Sequence, residues 1–600
     1  RLNVSSPSGN QGTLRYTVRY DDSVVVWDSA LGLTTDSWLN AGDAGLTPYT
    51  PFEWMGATVT TVNAPYTLPV AERNLIPNHY TEAVVDLRWR DFPDRTLQLI
   101  ARVYDEGVAL RYRIPSQPGV NQITIRSEST RFSFPQDHWA YEQFGTEGSY
   151  RRTRISGLST DHPFENPLTI EHVNGFYVSV TEAAVDNYPR MQLEHKATAP
   201  QALTSKLYGS ATVSLPFATP WRVLMIAPTA GKLLEQSYIM YNLAPPPASH
   251  CYNNVGNWLK PGTAMRIVNL STQGAKDVID FAAAHGIDYV EFDTGWYGDE
   301  WDAGSDATQP RNIDMRHVVE YAGNKDIGVI LYVNYMALEQ QMDSLFPLYS
   351  WWGIKGVKFG FVDGGDQAGI NFVHTSAIKA ACHGLFVDIH DNYRPSGMTR
   401  TFPNLLTQEG VQGSEHAPGP EHNTILPFAR FLIGAADYTI PYFTVNPDVD
   451  GRGTRGHHLA LSVVYFSPIK FVFWNEYPSL YQGEPEIEFF GRVPTAWDET
   501  LVLHDAVGDY VSVARRKGDE WFIGTITDET ARSLELPLAF LDPGVTYTAT
   551  IYEDVDTRRV GQTTADVTRD TVLNANLMAK GGQAVWLAPQ QQEKGLPNAD

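Results

Sequence analysis

Hydrophobic and polar positions alternate in short runs from the first residue to about Ala244. "LRYTVRY", "SVVVWDS", "TLQLIARVYDEGVALRYRI" and "FYVSVTE" place apolar side chains at about every second position, and Gly, Pro, Asn and Asp turns separate them. A period of two turns one face of a strand toward a core and the other toward water, which predicts an antiparallel β-sandwich. The stiff "APPPASH" at 244–250 punctuates the chain, because proline fixes φ and removes a backbone donor. Beyond it the rhythm changes. Apolar parallel-type strands are expected at 257–260, 289–296, 328–335, 356–362, 385–391, 410–415, 436–440 and 468–474. Amphipathic helical segments such as "TQGAKDVIDFAAAHG" and "AGINFVHTSAIKAACHG" lie between them, each ending in a glycine suited to a C-cap. Eight such βα repeats predict a (β/α)8 TIM barrel with its site at the C-terminal strand ends. A doubly wound sheet is the alternative, weakened because no glycine-rich phosphate loop follows any strand. From about Thr500 short strands return in "YVSVARRK", "EWFIGTI", "TYTATIYED" and "QAVWLAP", a small all-β domain that ends in a polar tail, "QQQEKGLPNAD", expected to be mobile. The expected domains are 1–248, 249–500 and 501–600.

Composition narrows the function classes. A 600-residue chain exceeds what one core serves. A net charge of −24 opposes binding to phosphate backbones, so nucleic acid is not an expected partner. No apolar run approaches the roughly 20 residues of a membrane span, and a soluble protein is expected. Two cysteines, Cys251 and Cys382, are too few for a disulfide framework or thiolate zinc site and read as two buried thiols. The start at Arg1 lacks a charged segment followed by an apolar core, so an export signal is either removed or never present. Fifteen Trp and 30 Tyr suit sugar stacking and an ordinary core equally.

The predicted strand ends present acids: Asp293 in "EFDTGWY", Asp391 in "VDIHDNYRPSG", and Glu409 with Glu415 in "TQEGVQGSEH". One acid at a strand end is commonly a cap or a solvated loop residue. Four at one mouth suit hydrolysis of a glycosidic bond, which needs an acid for the leaving oxygen and a carboxylate as nucleophile or base. Crowded carboxylates also raise a pKa or recruit a hard cation. Lys358 lies two residues before Gly360 on the same strand face and is either a sugar contact or a partner in an interior salt bridge. Asp293 binds hydroxyls or plays a strand-end role, and His390 binds substrate or sits satisfied in the core. His457 and His458, at the start of a predicted helix, read as structural or surface residues rather than zinc ligands.

The stretch "DIHDNYRPSGMTRTFPNLLTQEGVQGSEH" resembles the family-97 glycoside hydrolases, supported by "NWLKPG", "EFDTGWY", "GVKFGF", "LPFARFLIGAADYT" and "AWDETLVLHDAVGDYVSVARRKGDEWFIG". The resemblance runs the length of the chain. It implies an N-terminal β-super-sandwich, a central barrel and a small C-terminal β-domain. It also implies Glu415 as general acid, and calcium (Ca2+) held by Glu409, Glu415 and, from the N-terminal domain, Glu147 in "TEGSYRR". Retaining members carry an Asp nucleophile where this chain has Gly360. Inverting members have Gly there and take a base from the next strand, here Asp391. Water is therefore expected in the space opened by Gly360, with Asp391 taking its proton. Two departures stand against the pattern: Asp391 is shorter than the glutamate of inverting members, and Asn334 occupies the place of their second base glutamate. The resemblance implies an exo-acting, inverting, calcium-dependent α-glucosidase, in the periplasm or secreted. An α-galactosidase on the same scaffold and a catalytically silent sugar-binding protein are the alternatives.

Overall fold

The computed structural model describes residues 1–5, 13–36 and 45–590. The part of the polar tail from residue 591 onward lies outside them.

The N-terminal half forms a ten-stranded antiparallel sheet whose edge strands are Phe52–Asn63 and Tyr150–Arg154. Three-stranded sheets share its core, where Tyr16, Leu99, Ile125, Val178 and Leu193 are buried together. The Tyr150–Arg154 strand pairs with Trp139–Gln143 as a hairpin, and Glu147 lies in the connecting turn.

The central unit is a parallel sheet of seven strands: β1 Gly262–Arg266, β2 Tyr289–Phe292, β3 Gly328–Asn334, β4 Gly356–Val362, β5 Phe386–Asp391, β6 Leu405–Gln408 and β7 Ile469–Phe471. Their spatial order is β6-β5-β4-β3-β2-β1-β7. The strands are buried on both faces, as the continuous apolar runs require. Helices α1 Thr272–His285, α2 Met315–Gly323, α3 Tyr335–Trp352, α4 Gln367–Cys382 and α5 Arg455–Val464 cover them. The gap between β6 and β7 is bridged by residues 436–440: the Asp437 amide donates to Gln408 O at 3.2 Å, and the Ile440 amide to Phe471 O at 3.0 Å. A near-closed TIM-like barrel results.

Three expected strands differ. Residues 255–257 form a 3₁₀ turn, and the first strand begins only after Pro261, which has no amide to give; the Gly262 amide then donates to Pro468 O at 2.8 Å. The sixth strand is "LLTQ", not 410–415, because Gly410 takes φ 42° and Ser414–His416 winds into a 3₁₀ turn. Segment 436–440 makes one isolated bridge, Ile440 to Val472, because Thr439 adopts φ 59° and breaks the extended run.

The C-terminal unit is a six-stranded antiparallel sheet with a two-stranded companion. One continuous core runs from Trp221 through Phe359 to Phe522, so the three units are packed as one body. Arg515 joins them: its guanidinium donates to Glu72 Oε1 at 3.1 Å and to Val463 O at 2.8 Å. Cys251 and Cys382 are not two buried thiols; they form a disulfide that ties the segment before β1 to the end of α4. Their Cα atoms lie 4.6 Å apart, within bridging reach. His457 and His458 are fully buried in α5, and His457 Nε2 lies 3.0 Å from Asn423 Nδ2.

Candidate active site

The C-terminal ends of β4, β5 and β6 meet the tip of the N-terminal hairpin. There the carboxylates of Glu147, Asp391 and Glu409 each place an oxygen within 4.8 Å of the others. Asp391 ends β5 with φ 71°, an unusual conformation for a residue with a side chain. Two hydrogen bonds hold it: its amide donates to Glu409 Oε2 at 2.9 Å, and its Oδ2 accepts from the Phe361 amide at 2.5 Å. Burial, then the charges of Glu409 and Asp391, push Glu147 up to about 8. Burial and the nearby Glu409 also raise Asp391. Three all-oxygen donors that repel one another fit a hard divalent cation.

Glu415, expected among these ligands, is not in the group. It lies on the 3₁₀ turn after β6, exposed, and its Oε1 accepts from Trp474 Nε1 at 2.8 Å. Asp391, expected as a base only, joins Glu147 and Glu409 instead.

Beneath the mouth lies a buried charged floor. Lys358 Nζ sits 3.6 Å from both Asp293 Oδ2 and Asp437 Oδ2, and 4.3 Å from the centre of the Trp474 ring. Burial works against its charge, but Glu291, Asp293, Asp437 and Asp388 outweigh it and raise its pKa. Lys358 therefore makes the interior salt bridge. His390 is clamped, with Nδ1 3.0 Å from Glu409 Oε2 and Nε2 2.6 Å from Asp437 Oδ2. Both nitrogens face carboxylates, so both carry protons; despite burial, Glu409 and Asp437 hold the imidazolium well above its usual range. Asp293 lies 3.6 Å from Arg266 Nη2 and accepts from the Thr294 amide at 2.6 Å; burial raises its pKa, but Lys358 and Arg266 lower it further. Glu291 and Asp388 are fully buried, Asp388 Oδ2 lies 3.8 Å from His390 Nε2, and burial pushes the pKa of both well up.

Gly360 does not open a space for water. A Cβ there would lie 2.0 Å from Tyr332 Oη and 2.2 Å from ring carbons Cε2 and Cζ, so the Tyr332 ring from β3 fills the place of the missing side chain. The Tyr332 hydroxyl donates to Glu300 Oε2, which also accepts from Asn334 Nδ2 at 3.3 Å, while Glu300 Oε1 accepts from Thr294 Oγ1 at 2.6 Å. Glu300 thus brings a carboxylate to Asn334, where the resemblance leads one to look for a second base. Nothing in the local sequence marks it, because it stands in the irregular loop after β2.

Comparison with known proteins shows the family. Residues 1–246 match the family model "Glycosyl-hydrolase 97 N-terminal", residues 256–411 "Glycoside hydrolase 97", and residues 496–588 "Glycosyl-hydrolase 97 C-terminal, oligomerisation". A retaining alpha-galactosidase of Bacteroides thetaiotaomicron is 28% identical over 98% of this chain and 96% of its own. A probable retaining alpha-galactosidase of Streptomyces bingchenggensis is 30% identical over 78% of this chain and 76% of its own. The structure of a family 97 enzyme from Pseudoalteromonas sp. strain K8, in complex with acarbose, superposes with a TM-score of 0.89 at 26% identity, covering 98% of both chains. The chain belongs to glycoside hydrolase family 97 and is an O-glycoside hydrolase.

Proposed function

We propose that the protein releases a terminal α-linked hexose, glucose in the first instance, with inversion of configuration and with calcium at the mouth. The observation that carries inversion is the end of β4, where Gly360 offers no carboxylate and the Tyr332 ring fills the place of one. With no nucleophile on that strand, direct attack by water needs a base and an acid. Asp391 has one oxygen fixed by the Phe361 amide, which leaves the other to take the proton of water. Glu415, oriented by Trp474, is the acid for the leaving oxygen. The buried layer of Lys358, His390 and Asp293 fixes the floor on which the hexose hydroxyls rest, and His390 orients Glu409 from below. Glu147, Asp391 and Glu409 would hold calcium, which when bound supplies positive charge that keeps these acids ionised and offers oxygen-seeking coordination to a sugar. Support for glucose comes from the Pseudoalteromonas enzyme, whose solved complexes hold acarbose and panose. The Cys251–Cys382 disulfide supports an oxidising compartment, the periplasm or the cell exterior.

The test is proton NMR of the first-formed anomer, with nitrophenyl α-glucoside and α-galactoside compared as substrates. A first product of β configuration supports the reading; an α product refutes inversion. Glu415→Gln and Asp391→Asn should each lower kcat by about 10²–10⁴-fold, and chelation should remove activity that calcium restores. A second reading, a retaining α-galactosidase, is favoured by the names of the two curated relatives. It requires Asp391 to be the nucleophile, and a 2-deoxy-2-fluoro-galactoside would then label the peptide that contains Asp391.

A further inference from the structure

We infer that His250, Cys251 and Cys382 form a site for a sulfur-seeking divalent cation such as zinc when the disulfide between the two cysteines is reduced. The inference is independent of the function proposed above. One ring nitrogen of His250 and the two sulfurs lie within 4.8 Å of one another, and His250 Nε2 stands 3.7 Å from Cys251 Sγ. Zinc holds sulfur at about 2.3 Å and imidazole nitrogen at about 2.0 Å, which sets two such donors roughly 3.5 Å apart at the corners of a tetrahedron. The imidazole is therefore already at a ligand's distance, and only the sulfurs must separate. Two cysteines are too few for a thiolate site by themselves; the histidine makes the third donor. Among the described residues the His250 ring has no hydrogen-bond or ion-pair partner other than this sulfur, so ligation would cost it no existing bond.

The two arms are held in place without the S–S bond. Cys382 is the last residue of α4, and Ala377, Ala380 and Ala381 of the same helix are buried in the central core. Cys251 lies in the 3₁₀ turn His250–Tyr252, where its amide donates to Ser249 Oγ at 3.2 Å. Tyr252 anchors that turn: it is buried, with its ring centroid 6.5 Å from that of Phe402. Reduction thus leaves two thiols and an imidazole facing one another, not two loose segments. Cys251 is half-buried while His250 and Cys382 are exposed, so a reductant and an ion both reach the group, and water has room to complete the tetrahedron.

The chemistry balances. A dithiol reductant passes two electrons and two protons to the sulfurs and itself becomes a disulfide. The cation then displaces both thiol protons, because thiolate is the form that ligates. Disulfide and metal site exclude each other, since the sulfurs of a disulfide carry no thiolate. Soft sulfur donors select zinc and its heavier relatives over calcium, so this ion differs from the one proposed for the oxygen-lined mouth. Either form ties the segment before β1 to the end of α4, and the cross-link outlasts reduction.

The experiment titrates cadmium into the full chain, with calcium present throughout, before and after reduction by a phosphine that does not itself chelate the ion. A cadmium–thiolate bond gives an ultraviolet charge-transfer band that carboxylates do not. The reduced protein should develop this band and saturate at one ion per chain, whereas the oxidised protein should show none. Cys251→Ser with Cys382→Ser should abolish the band. His250→Ala should weaken binding to the reduced protein by about tenfold or more, read by competition with a chelator, since losing a ligand costs at least what losing its outer partner does. Zinc should raise the melting temperature of the reduced protein and leave that of the oxidised protein unchanged. A reduced protein without the band overturns the site, as does equal affinity in His250→Ala. Reduced protein that unfolds at 25 °C and is not refolded by cadmium overturns it too, because the arms would then not be held.

Discussion

Replacing Gly360 by alanine is the sharpest test of how the mouth is built. The added Cβ would sit 2.0 Å from Tyr332 Oη and 2.2 Å from two ring carbons, where non-bonded carbon atoms rest at roughly 3.5–4.0 Å. The ring must move by well over an ångström. Tyr332 is only 5% exposed, and its carbonyl accepts from Trp296 Nε1 at 2.7 Å, so its backbone cannot follow and the ring must swing away from Glu300. Overpacking of this kind costs about 1–3 kcal/mol. Losing a hydrogen bond to a charged group adds about 1.5–3 kcal/mol. Gly360→Ala should therefore lower unfolding stability by about 2.5–6 kcal/mol, and kcat/KM by about a hundredfold because the ring is driven into the substrate space. Denaturant unfolding and steady-state kinetics read the two effects. Tyr332→Ala in the same chain should restore much of the stability, giving a favourable coupling in a double-mutant cycle. For the same reason Gly360→Asp alone should not create a retaining enzyme, since the new carboxylate would collide with the same ring. If Gly360→Ala unfolds and turns over like the wild type, or the cycle shows no coupling, the argument that Tyr332 fills the site is wrong.

Three other outcomes are expected. Lys470 is buried on β7 and donates to Ser462 O; burial, then Arg515, lowers its pKa to about 7 from an unfolded value of 10.5. The unfolded chain then binds the extra proton between pH 7 and 10.5, so this residue makes stability rise with pH across that window. Lys470→Met should abolish that rise and stabilise the protein below pH 7 by roughly 5 kcal/mol, read from denaturant midpoints at several pH values. Arg515→Ala leaves Glu72 and the carbonyls of Val463 and Val464 buried without their donor. It should cost about 3–5 kcal/mol, while Arg515→Met with Glu72→Gln costs less because no lone charge stays buried. Cys382→Ser opens a cross-link spanning 131 residues. Chain entropy predicts a loss of about 4–5 kcal/mol; because helices run back down the barrel, α4 ends away from the mouth, so activity at 25 °C should hold while the melting temperature falls.

The parts of this architecture legible in the sequence are those where local and long-range demands agree. Strands β2 to β5 are apolar runs buried on both faces, and their pattern is enough. The first and sixth strands are displaced from their expected positions because one proline and one left-handed glycine decide where a ladder can begin or end, and hydrophobicity does not report backbone donors. The acids of the mouth were legible through resemblance to a family, but their grouping was not. Asp391 rather than Glu415 stands with Glu147 and Glu409 because φ 71° turns the end of β5 toward Glu409. Glu300 and the Tyr332 ring were hidden for a related reason: each acts on a neighbour through a loop or a diagonal contact that has no sequence period.

A charge of −24 says nothing about where charge must be balanced, and the floor of the barrel shows why that matters. Burial pushes Glu291 and Asp388 well up, while the carboxylates of Asp293, Asp437 and Glu409 face the cations Lys358, Arg266 and His390. His390, and for Asp391 also Lys358, reaches the mouth above, but burial and the charge of Glu409 outweigh them there and both Glu147 and Asp391 are raised. Glu147 and Asp391 then stand beside Glu409 with too little to offset them; His416, 3.9 Å from Glu147, is half-exposed. Charge that the protein does not supply at such a point has to come from protons or from a bound cation, and protons would disarm Asp391 as a base. This excess of acid at the mouth is thus the physical ground for proposing calcium there: chelation should silence the enzyme at neutral pH while leaving Lys358, His390 and the barrel beneath them intact.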